Sequence, residues 1–294
     1  MNLVDINTMF PTDEKCREML TRLRWPEGVR CPRCSMDVVE LETEKTLYYC
    51  KQCDYQFSVT AGTIFNDSHL PLNKWFMATL LLCEAKKGMS ACQIQRTLGL
   101  GSYKTAWYLC HRIRAAMMES QKTMLDGKVE MDETYVGGKT KDPFRFANKE
   151  VVVGIRKRGG ELRFFHAKDA RGGTLAKYIR ENLSEDLDIL YTDDANVYKG
   201  AALHLRKQGR HKTIRHSRRI YVNGDTHTNT VESAFSLLKR GIMGSWHRVS
   251  AKHLQSYCTE MAFRFNRRNR SDLFMDTLRH MVTAPVLTFE KLTA

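Results

Sequence analysis

The sequence predicts a mixed α/β protein whose central sheet is covered by helices and is preceded by a smaller region. Three strand-like runs, 129–136, 150–155 and 162–166, follow one another, with paired glycines at the turns between them. Helical and strand patterns then alternate: a helix over 174–183, a buried strand over 188–192 and a helix over 195–205. Successive strands followed by alternating helix and strand are typical of a mixed sheet flanked by helices.

Composition excludes several classes of protein. The chain has 294 residues, of which 42% are hydrophobic and 27% charged, values typical of a globular rather than a disordered protein. The longest apolar run, 77–83, is far shorter than the roughly 20 residues that span a bilayer. The first residues lack the basic and apolar regions of a signal peptide. We therefore expect a cytoplasmic protein associated with the nucleoid and not with a membrane.

The charge favours a polyanionic partner. Lys and Arg number 47 against 33 Asp and Glu, a formal net charge of +14. Basic residues are concentrated in two segments, 204–219 and 264–270, which is typical of nucleic-acid binding, although charge that only aids solubility gives the same balance. Within the first segment we expect Arg215, Arg218 and Arg219 to contact DNA phosphates.

Four of the nine cysteines form two CxxC pairs, Cys31 with Cys34 and Cys50 with Cys53, separated by fifteen residues. Two such pairs can place four thiolates around Zn²⁺, and the β-branched and aromatic residues around the second pair suit the strands of a zinc ribbon. A chance arrangement or a redox CxxC is the alternative. The other five cysteines lie in apolar helical surroundings, so we expect them to be buried; they are Cys16, Cys83, Cys92, Cys110 and Cys258.

Helices are predicted on both sides of the ribbon. Residues 1–30 are predicted to be mainly helical, and 72–87, 91–98 and 103–118 follow the ribbon as three helices. Ser90 and Ser102 are suited to cap the second and third of these, and Gly99 and Gly101 form the turn between them. This is the pattern of a helix-turn-helix, in which Tyr103, Lys104 and Tyr108 would meet DNA. An ordinary helical hairpin gives the same pattern.

Acidic residues that could take part in catalysis lie in the predicted strands or directly after them. Asp132 lies in the middle of a predicted strand and shares a face with Glu130 and Thr134, whereas Glu133 points the opposite way. Asp193 follows a buried strand, at the end where open α/β sheets bind ligands. The neighbouring Asp194 is expected to cap the next helix.

Glu232 lies on a predicted helix, 229–242, whose polar stripe also contains Asn229 and Lys239. If this helix packs on the sheet, Glu232 turns towards the sheet edge. Carboxylates from two strands and one helix would repel one another without a cation, and they suit a pair of divalent metal ions at a scissile phosphate. From spacing alone, ordinary surface charges explain Asp132 and Glu232 equally well.

A family resemblance adds to these observations. The motifs MDETYVGGK, YTDDANVY, NTVESAFSLLKRG and HLQSYCTEMAFRFNRR occur in that order. They resemble DDE-type transposases of bacterial insertion sequences that carry an N-terminal zinc ribbon, the ISXO2-like group. Four N-terminal motifs fit the same family: QFSVTAGTIF, LPLNKWF, KKGMSACQIQRTLGL and YKTAW. The resemblance covers roughly residues 15–270.

The resemblance implies a ribonuclease-H-like catalytic domain that uses Mg²⁺ or Mn²⁺ to cleave the ends of the element and join them to target DNA. By position, Asp132, Asp193 and Glu232 are the acidic triad, and Lys239 contacts terminal DNA. Asn229, on the same face of the helix as Glu232, is the alternative third member. We favour Glu232 because a carboxylate binds Mg²⁺ more strongly than a neutral amide.

The expected domains are an N-terminal helical segment (1–30), the zinc ribbon (31–62), the helix-turn-helix region (70–120), the catalytic domain (126–270) and a C-terminal tail (271–294). The expected partner is double-stranded DNA, both the terminal inverted repeats and the target, with a homo-oligomer assembled on it. Two alternatives remain open: a nuclease of similar fold that cuts without joining, and an inactive zinc-ribbon regulator that only binds DNA.

Overall fold

A computed structural model describes residues 1–37, 39–42, 47–119, 123–138, 149–214 and 226–294. The chain forms two compact units. The first contains Met1–Met118 together with Asn269–Ala294, and the second contains Glu119–Arg268. In the described part of the chain, no helix has the length and apolar character needed to cross a membrane.

The first unit begins with helices α1 (Leu3–Met9) and α2 (Asp13–Arg24), in agreement with the predicted helical start. A three-stranded antiparallel sheet follows, formed by β1 (Val39–Glu42), β2 (Leu47–Cys50) and β3 (Tyr55–Ser58). Aromatic side chains hold this small sheet together, with Trp25 packed edge-on against Tyr48 at 5.6 Å between ring centres. A sheet this small buries little apolar area, so it needs a further crosslink for stability.

Three helices follow the small sheet, as the sequence predicts: α3 (Leu72–Glu84), α4 (Ala91–Leu98) and α5 (Tyr103–Ala116). Ser90 accepts a hydrogen bond from the backbone N of Gln93, and Ser102 accepts one from Thr105, both at 3.1 Å, so both predicted caps are confirmed. Gly99 ends α4 with a φ of 59°, a left-handed conformation that glycine adopts without strain.

Residues 269–294 belong to the first unit and are largely helical, with α11 over Leu273–Thr283 and α12 over Phe289–Thr293. α11 packs against α2, α3 and α5. Phe274 lies edge-on to Phe76 at 5.9 Å between ring centres, and Thr79 Oγ1 lies 3.3 Å from Met281 Sδ. These C-terminal helices therefore complete the core of the first unit.

The second unit is built on a five-stranded mixed sheet in the order β6-β5-β4-β7-β8. Its strands are β4 (Leu125–Val136), β5 (Glu150–Lys157), β6 (Leu162–Ala167), β7 (Leu183–Asp193) and β8 (His211–Ile214). β4, β5 and β6 pair antiparallel, whereas β7 runs parallel to both β4 and β8. The predicted mixed α/β class is confirmed.

Helices cover both faces of this sheet. α6 (Gly172–Asn182), α7 (Asn196–Ala201) and α8 (Leu203–Lys207) pack on one face over a core that includes Val129 and Met131. α9 (Asn229–Gly241), a π-helical turn (Ile242–Trp246) and α10 (Ala251–Arg267) cover the other. Burying each large apolar side chain in these cores contributes roughly 1.5–3 kcal/mol.

Three local predictions need correction. Residues 195–205 form two short helices instead of one. Cys92 is exposed because the buried face of α4 consists of Ala91, Ile94 and Leu98, whereas the other four structural cysteines are buried as predicted. Asp194 does not cap α7, whose N-terminus has no side-chain cap.

The arginines of the second basic segment, 264–270, have partners within the protein, and the expectation that this segment favours nucleic acid stays a prediction. Arg264 is buried, and its guanidinium lies 3.1 Å from the carboxylate of Glu260. Arg267 forms an ion pair with Glu119 at 2.6 Å, and Arg270 forms one with Asp272 at 2.8 Å. Arg268 lies over the ring of Phe265, 4.2 Å from its centre. Each of these cations therefore has a local structural partner.

Candidate functional site

The four CxxC cysteines converge at one end of the small sheet. Cys31 Sγ lies 3.6 Å from Cys53 Sγ, and Cys34 Sγ lies 3.5 Å from Cys50 Sγ. All four sulfur atoms lie within 4.8 Å of one another. Each pair sits on a tight turn, in which the residue after the second cysteine, Ser35 or Asp54, has a positive φ.

These sulfurs fit a tetrahedral zinc ion. With Zn–S bonds of about 2.3 Å, tetrahedral geometry requires sulfurs about 3.8 Å apart, close to the observed distances. Burial acts to raise the pKa of the Cys31 thiol, but hydrogen bonds from the backbone N–H groups of Cys34 and Arg33, and from the thiols of Cys53 and Cys34, lower this pKa to about 7. Burial and the neighbouring thiols raise the pKa of Cys53 to about 12. Because thiolates are the form that binds metal, Zn²⁺ would displace the protons that the cluster otherwise holds.

The three acidic residues of the predicted triad come from three elements of the second unit. Asp132 lies on β4, Asp193 is the last residue of β7, and Glu232 lies in the first turn of α9. Thr228 Oγ1 donates a hydrogen bond to Glu232 Oε1 at 2.7 Å, and Asp193 Oδ1 accepts one from the backbone N of Ala195 at 3.1 Å. Both carboxylates are therefore oriented by groups close to them in the chain.

The three carboxylates interact electrostatically. Burial raises the pKa of Asp132 to about 8, and repulsion from Glu133, Asp193 and Glu232 adds to this increase. Among the described residues, the cysteine cluster is the one group of three or more metal-ligating side chains whose ligand atoms all lie within 4.8 Å. Asp193 and Glu232 are thus close enough to Asp132 for their charges to interact, although the ligand atoms of the three carboxylates do not all lie within 4.8 Å of one another.

Glu133 lies on the opposite face of β4, as the strand period predicts, and has a partner that the sequence did not reveal. The hydroxyl of the buried Tyr198, on α7, donates a hydrogen bond to Glu133 Oε2. Burial, with repulsion from Asp193, raises the pKa of Glu133 even though this hydrogen bond lowers it. A fourth carboxylate therefore lies close to the predicted triad.

The two remaining candidates on α9, Asn229 and Lys239, are exposed on its polar face. Asn229 is the first residue of the helix, and Glu232 lies three residues further along it. The predicted stripe of Asn229, Glu232, Ser236 and Lys239 lies opposite buried Val231, Ala234 and Leu238. α9 therefore packs its apolar face on the sheet, with Glu232 close enough to Asp132 on β4 for their charges to interact.

The candidate DNA-binding residues of α5 differ in their surroundings. Tyr103 is exposed, and the ammonium of Lys104 lies over the ring of Phe289, 4.2 Å from its centre. Tyr108 is partly buried, and its hydroxyl donates a hydrogen bond to the carbonyl of Leu287 at 2.6 Å. Arg215, Arg218 and Arg219 lie outside the described residues.

The first unit thus carries a four-cysteine cluster that fits zinc, and the second carries interacting carboxylates in a mixed α/β fold. Comparison with known families places both in the class of zinc-ribbon transposases. Residues 124–266 match the ISXO2-like transposase domain, and residues 11–56 match the transposase zinc-ribbon domain. The chain is 30% identical to an uncharacterized protein in transposable element ISH50 of Halobacterium salinarum, over 84% of this chain and 89% of that relative. The chain belongs to the ISXO2-like transposase family, which implies an enzyme that acts on DNA.

Proposed function

We propose that this protein binds the ends of an insertion sequence and catalyses Mg²⁺-dependent DNA cleavage and strand transfer. The observation that carries the proposal is that β4, β7 and α9 bring Asp132, Asp193 and Glu232 close together, so that burial and repulsion from Glu133, Asp193 and Glu232 raise the pKa of Asp132. Carboxylates that repel one another in a half-buried site are stabilised by a divalent cation. Because these carboxylates lie in a domain of the transposase family, the cation would act on a DNA phosphate.

In this proposal, Asp132, Asp193 and Glu232 hold Mg²⁺ or Mn²⁺ through their carboxylate oxygens. The donor set fits, because hard oxygen ligands are those that Mg²⁺ prefers. The bound cation would polarise the scissile phosphate and activate the attacking hydroxyl. Thr228 and the Ala195 amide keep Glu232 and Asp193 oriented, and Lys239 contacts the terminal DNA.

DNA recognition is assigned to the first unit and the basic segment. The ribbon, held by Zn²⁺ on its four cysteines, and the α4–α5 pair, acting as a helix-turn-helix, would bind the terminal inverted repeats. Tyr103 and Lys104, in the exposed first turn of α5, are the proposed contacts there, with Tyr108 supporting the helix. Arg215, Arg218 and Arg219 would neutralise phosphates, and a ribonuclease-H-like second unit would act in a homo-oligomer assembled on the DNA.

The decisive experiment compares Glu232→Gln with Asn229→Ala. An uncut duplex that carries an inverted repeat identified in the DNA flanking the gene reports cleavage, and the corresponding pre-cut end with a supercoiled plasmid as target reports joining. We expect Glu232→Gln to abolish both cleavage and joining while gel-shift binding persists, since both steps use the same ions. Asn229→Ala should reduce activity only modestly.

Other outcomes would overturn parts of the proposal. An active Glu232→Gln beside a dead Asn229→Ala would assign the third position to Asn229. Cleavage without any joined product would favour a nuclease. Binding without metal-dependent cleavage by the wild-type protein would favour an inactive regulator.

A further inference from the structure

Two acidic side chains of the described second unit that lie outside the proposed triad, Glu130 and Glu260, are fully buried, and Glu130 is the one next to the triad. Glu130 lies on β4, two residues before Asp132, and its exposed fraction is 0%. Removing a carboxylate from water is costly unless ionic and hydrogen-bonding partners replace the lost hydration. The partners of Glu130 therefore indicate what it does.

One oxygen of this carboxylate caps α9. Glu130 Oε2 accepts hydrogen bonds from the backbone N of Thr230 at 2.9 Å, from Thr230 Oγ1 at 2.7 Å and from the backbone N of Val231 at 3.0 Å. The first N–H groups of a helix have no partners within the helix, and the N-cap residue of α9, Thr228, provides no side-chain cap. A strand residue 100 positions earlier provides it instead. Its negative charge also suits the positive end of the helix dipole.

The other oxygen fixes the same carboxylate to the sheet. Glu130 Oε1 accepts a hydrogen bond from Arg158 Nε at 2.7 Å, and His227 Nδ1 lies 3.2 Å away. Arg158 also donates to the carbonyl of His227 at 2.8 Å and stacks over the ring of Tyr191 on β7 at 4.0 Å. The charged groups around Glu130 thus connect β4, the end of β5, β7 and the residue that leads into α9.

We propose that Glu130 is a positioning residue that holds the first turn of α9 on β4, so that Glu232 meets Asp132 at the distance needed to share a cation. The inference rests on the proposed function. Asp132 lies two residues beyond Glu130 on the same face of β4, and Glu232 lies two residues beyond Thr230 on α9. The two proposed metal ligands, Asp132 and Glu232, therefore each lie two residues along the chain from the contact between Glu130 and Thr230.

The test uses Mn²⁺ binding to the zinc-loaded, full-length protein without DNA, measured by calorimetry or electron paramagnetic resonance. Glu130→Gln keeps the size of the side chain but removes its charge. It also replaces one of the two acceptor oxygens by an NH₂ group, so that the side chain can no longer accept hydrogen bonds from both α9 and Arg158. We expect Mn²⁺ affinity and DNA cleavage each to fall by about 10- to 100-fold, the scale of a small displacement in a catalytic site. DNA binding should be unchanged.

Two further variants separate positioning from stability. Thr230→Val removes only the hydroxyl hydrogen bond and should give a smaller loss of Mn²⁺ affinity, because the backbone hydrogen bonds to Glu130 stay in place. Leu175→Ala leaves a cavity in the core on the opposite face of the sheet, and should lower the Tm with Mn²⁺ affinity unchanged.

The outcomes separate this inference from the proposal on which it rests. If wild-type protein binds Mn²⁺ in a Glu232-dependent way and folded Glu130→Gln binds it equally well, the positioning role is overturned. If Leu175→Ala weakens Mn²⁺ binding as much as Glu130→Gln at the same loss of Tm, the effect is general destabilisation and the inference is also overturned. If Glu232→Gln leaves Mn²⁺ binding at the wild-type level, the proposed metal site fails and the inference fails with it.

Discussion

Gly154 lies directly opposite Asp132 in the antiparallel pairing of β4 and β5, and its missing side chain leaves the space into which α9 packs. A Cβ built on Gly154 would lie 2.7 Å from Cζ of Phe235 and 2.9 Å from Cγ2 of Val231. Phe235 is in turn stacked on Phe164, with 5.4 Å between ring centres. The helix that carries Glu232 therefore packs closely against the sheet beside Asp132.

Gly154→Ala should destabilise the second unit and displace α9. Overpacking of a core typically costs about 1–3 kcal/mol, more than the roughly 0.4–1 kcal/mol that alanine gains by restricting the unfolded chain. We expect a lower free energy of unfolding in urea and reduced DNA cleavage. Gly173→Ala, at a position with no atom within 4 Å of the added Cβ, is the matched control and should show neither effect. Unchanged stability of Gly154→Ala would show that α9 can shift away freely.

Cys34→Ser should release zinc and unfold the ribbon, because metal binding and folding are one event in so small a unit. Metal analysis should find about one zinc ion per wild-type chain and much less in the variant. Binding to the element's ends should weaken while the second unit keeps its fold. Cys92→Ser, at an exposed cysteine outside the cluster, is the control and should retain its zinc. Equal zinc content in both variants would refute the four-cysteine site.

The sequence was most informative where structure is set locally. Alternating residues marked the strand around Asp132, and the serines at 90 and 102 marked the starts of α4 and α5. Local patterns also placed the four cysteines on two turns, and the structure brings them together as predicted. Each of these features depends on neighbours within a few residues or on a repeated spacing.

The sequence was least informative where contacts join distant segments. In the sequence, Glu130 is only one more polar residue of a strand. Its role depends on the first N–H groups of α9, which lie 100 residues later in the chain. The partner of Glu133, Tyr198, is similarly distant. The predicted burial of Cys92 is wrong because an eight-residue helix has a narrow buried face, and apolar neighbours in the sequence do not show which side chains point into it.

Neutralising Arg215, Arg218 and Arg219 together should weaken binding to all DNA sequences alike. Phosphate contacts release counterions irrespective of base sequence, so the plot of log affinity against log salt should become shallower by about 0.9 for each phosphate that is no longer neutralised. The measurement compares an inverted-repeat duplex with a scrambled duplex over a range of salt concentrations. A preserved slope would mean that these arginines do not bind phosphate, and weaker binding confined to the repeat would mean that they read bases.

Asp132→Asn should stabilise the protein in buffer without Mg²⁺, and the gain should grow as the pH rises. Asp132 has a pKa of about 8 in the folded protein against an ordinary value of 3.8, so folding retains a proton that the unfolded chain loses. The contribution of this group to stability is therefore complete below about pH 4 and is lost progressively as the pH rises to about 8. Asparagine does not titrate, so its advantage over aspartate should be largest near pH 8.

Calorimetry at pH 5 and pH 8 on zinc-loaded protein measures this difference, since each kcal/mol corresponds to a shift of about 2–4 °C in Tm for a unit of this size. Adding Mg²⁺ should raise the Tm of the wild-type protein but not that of Asp132→Asn, because the cation replaces the proton between the carboxylates. Asp126→Asn is the control of opposite sign, since a hydrogen bond from Lys157 lowers the pKa of the exposed Asp126. An Asp132→Asn Tm that exceeds the wild-type value equally at both pH values would show that folding does not raise the pKa of Asp132.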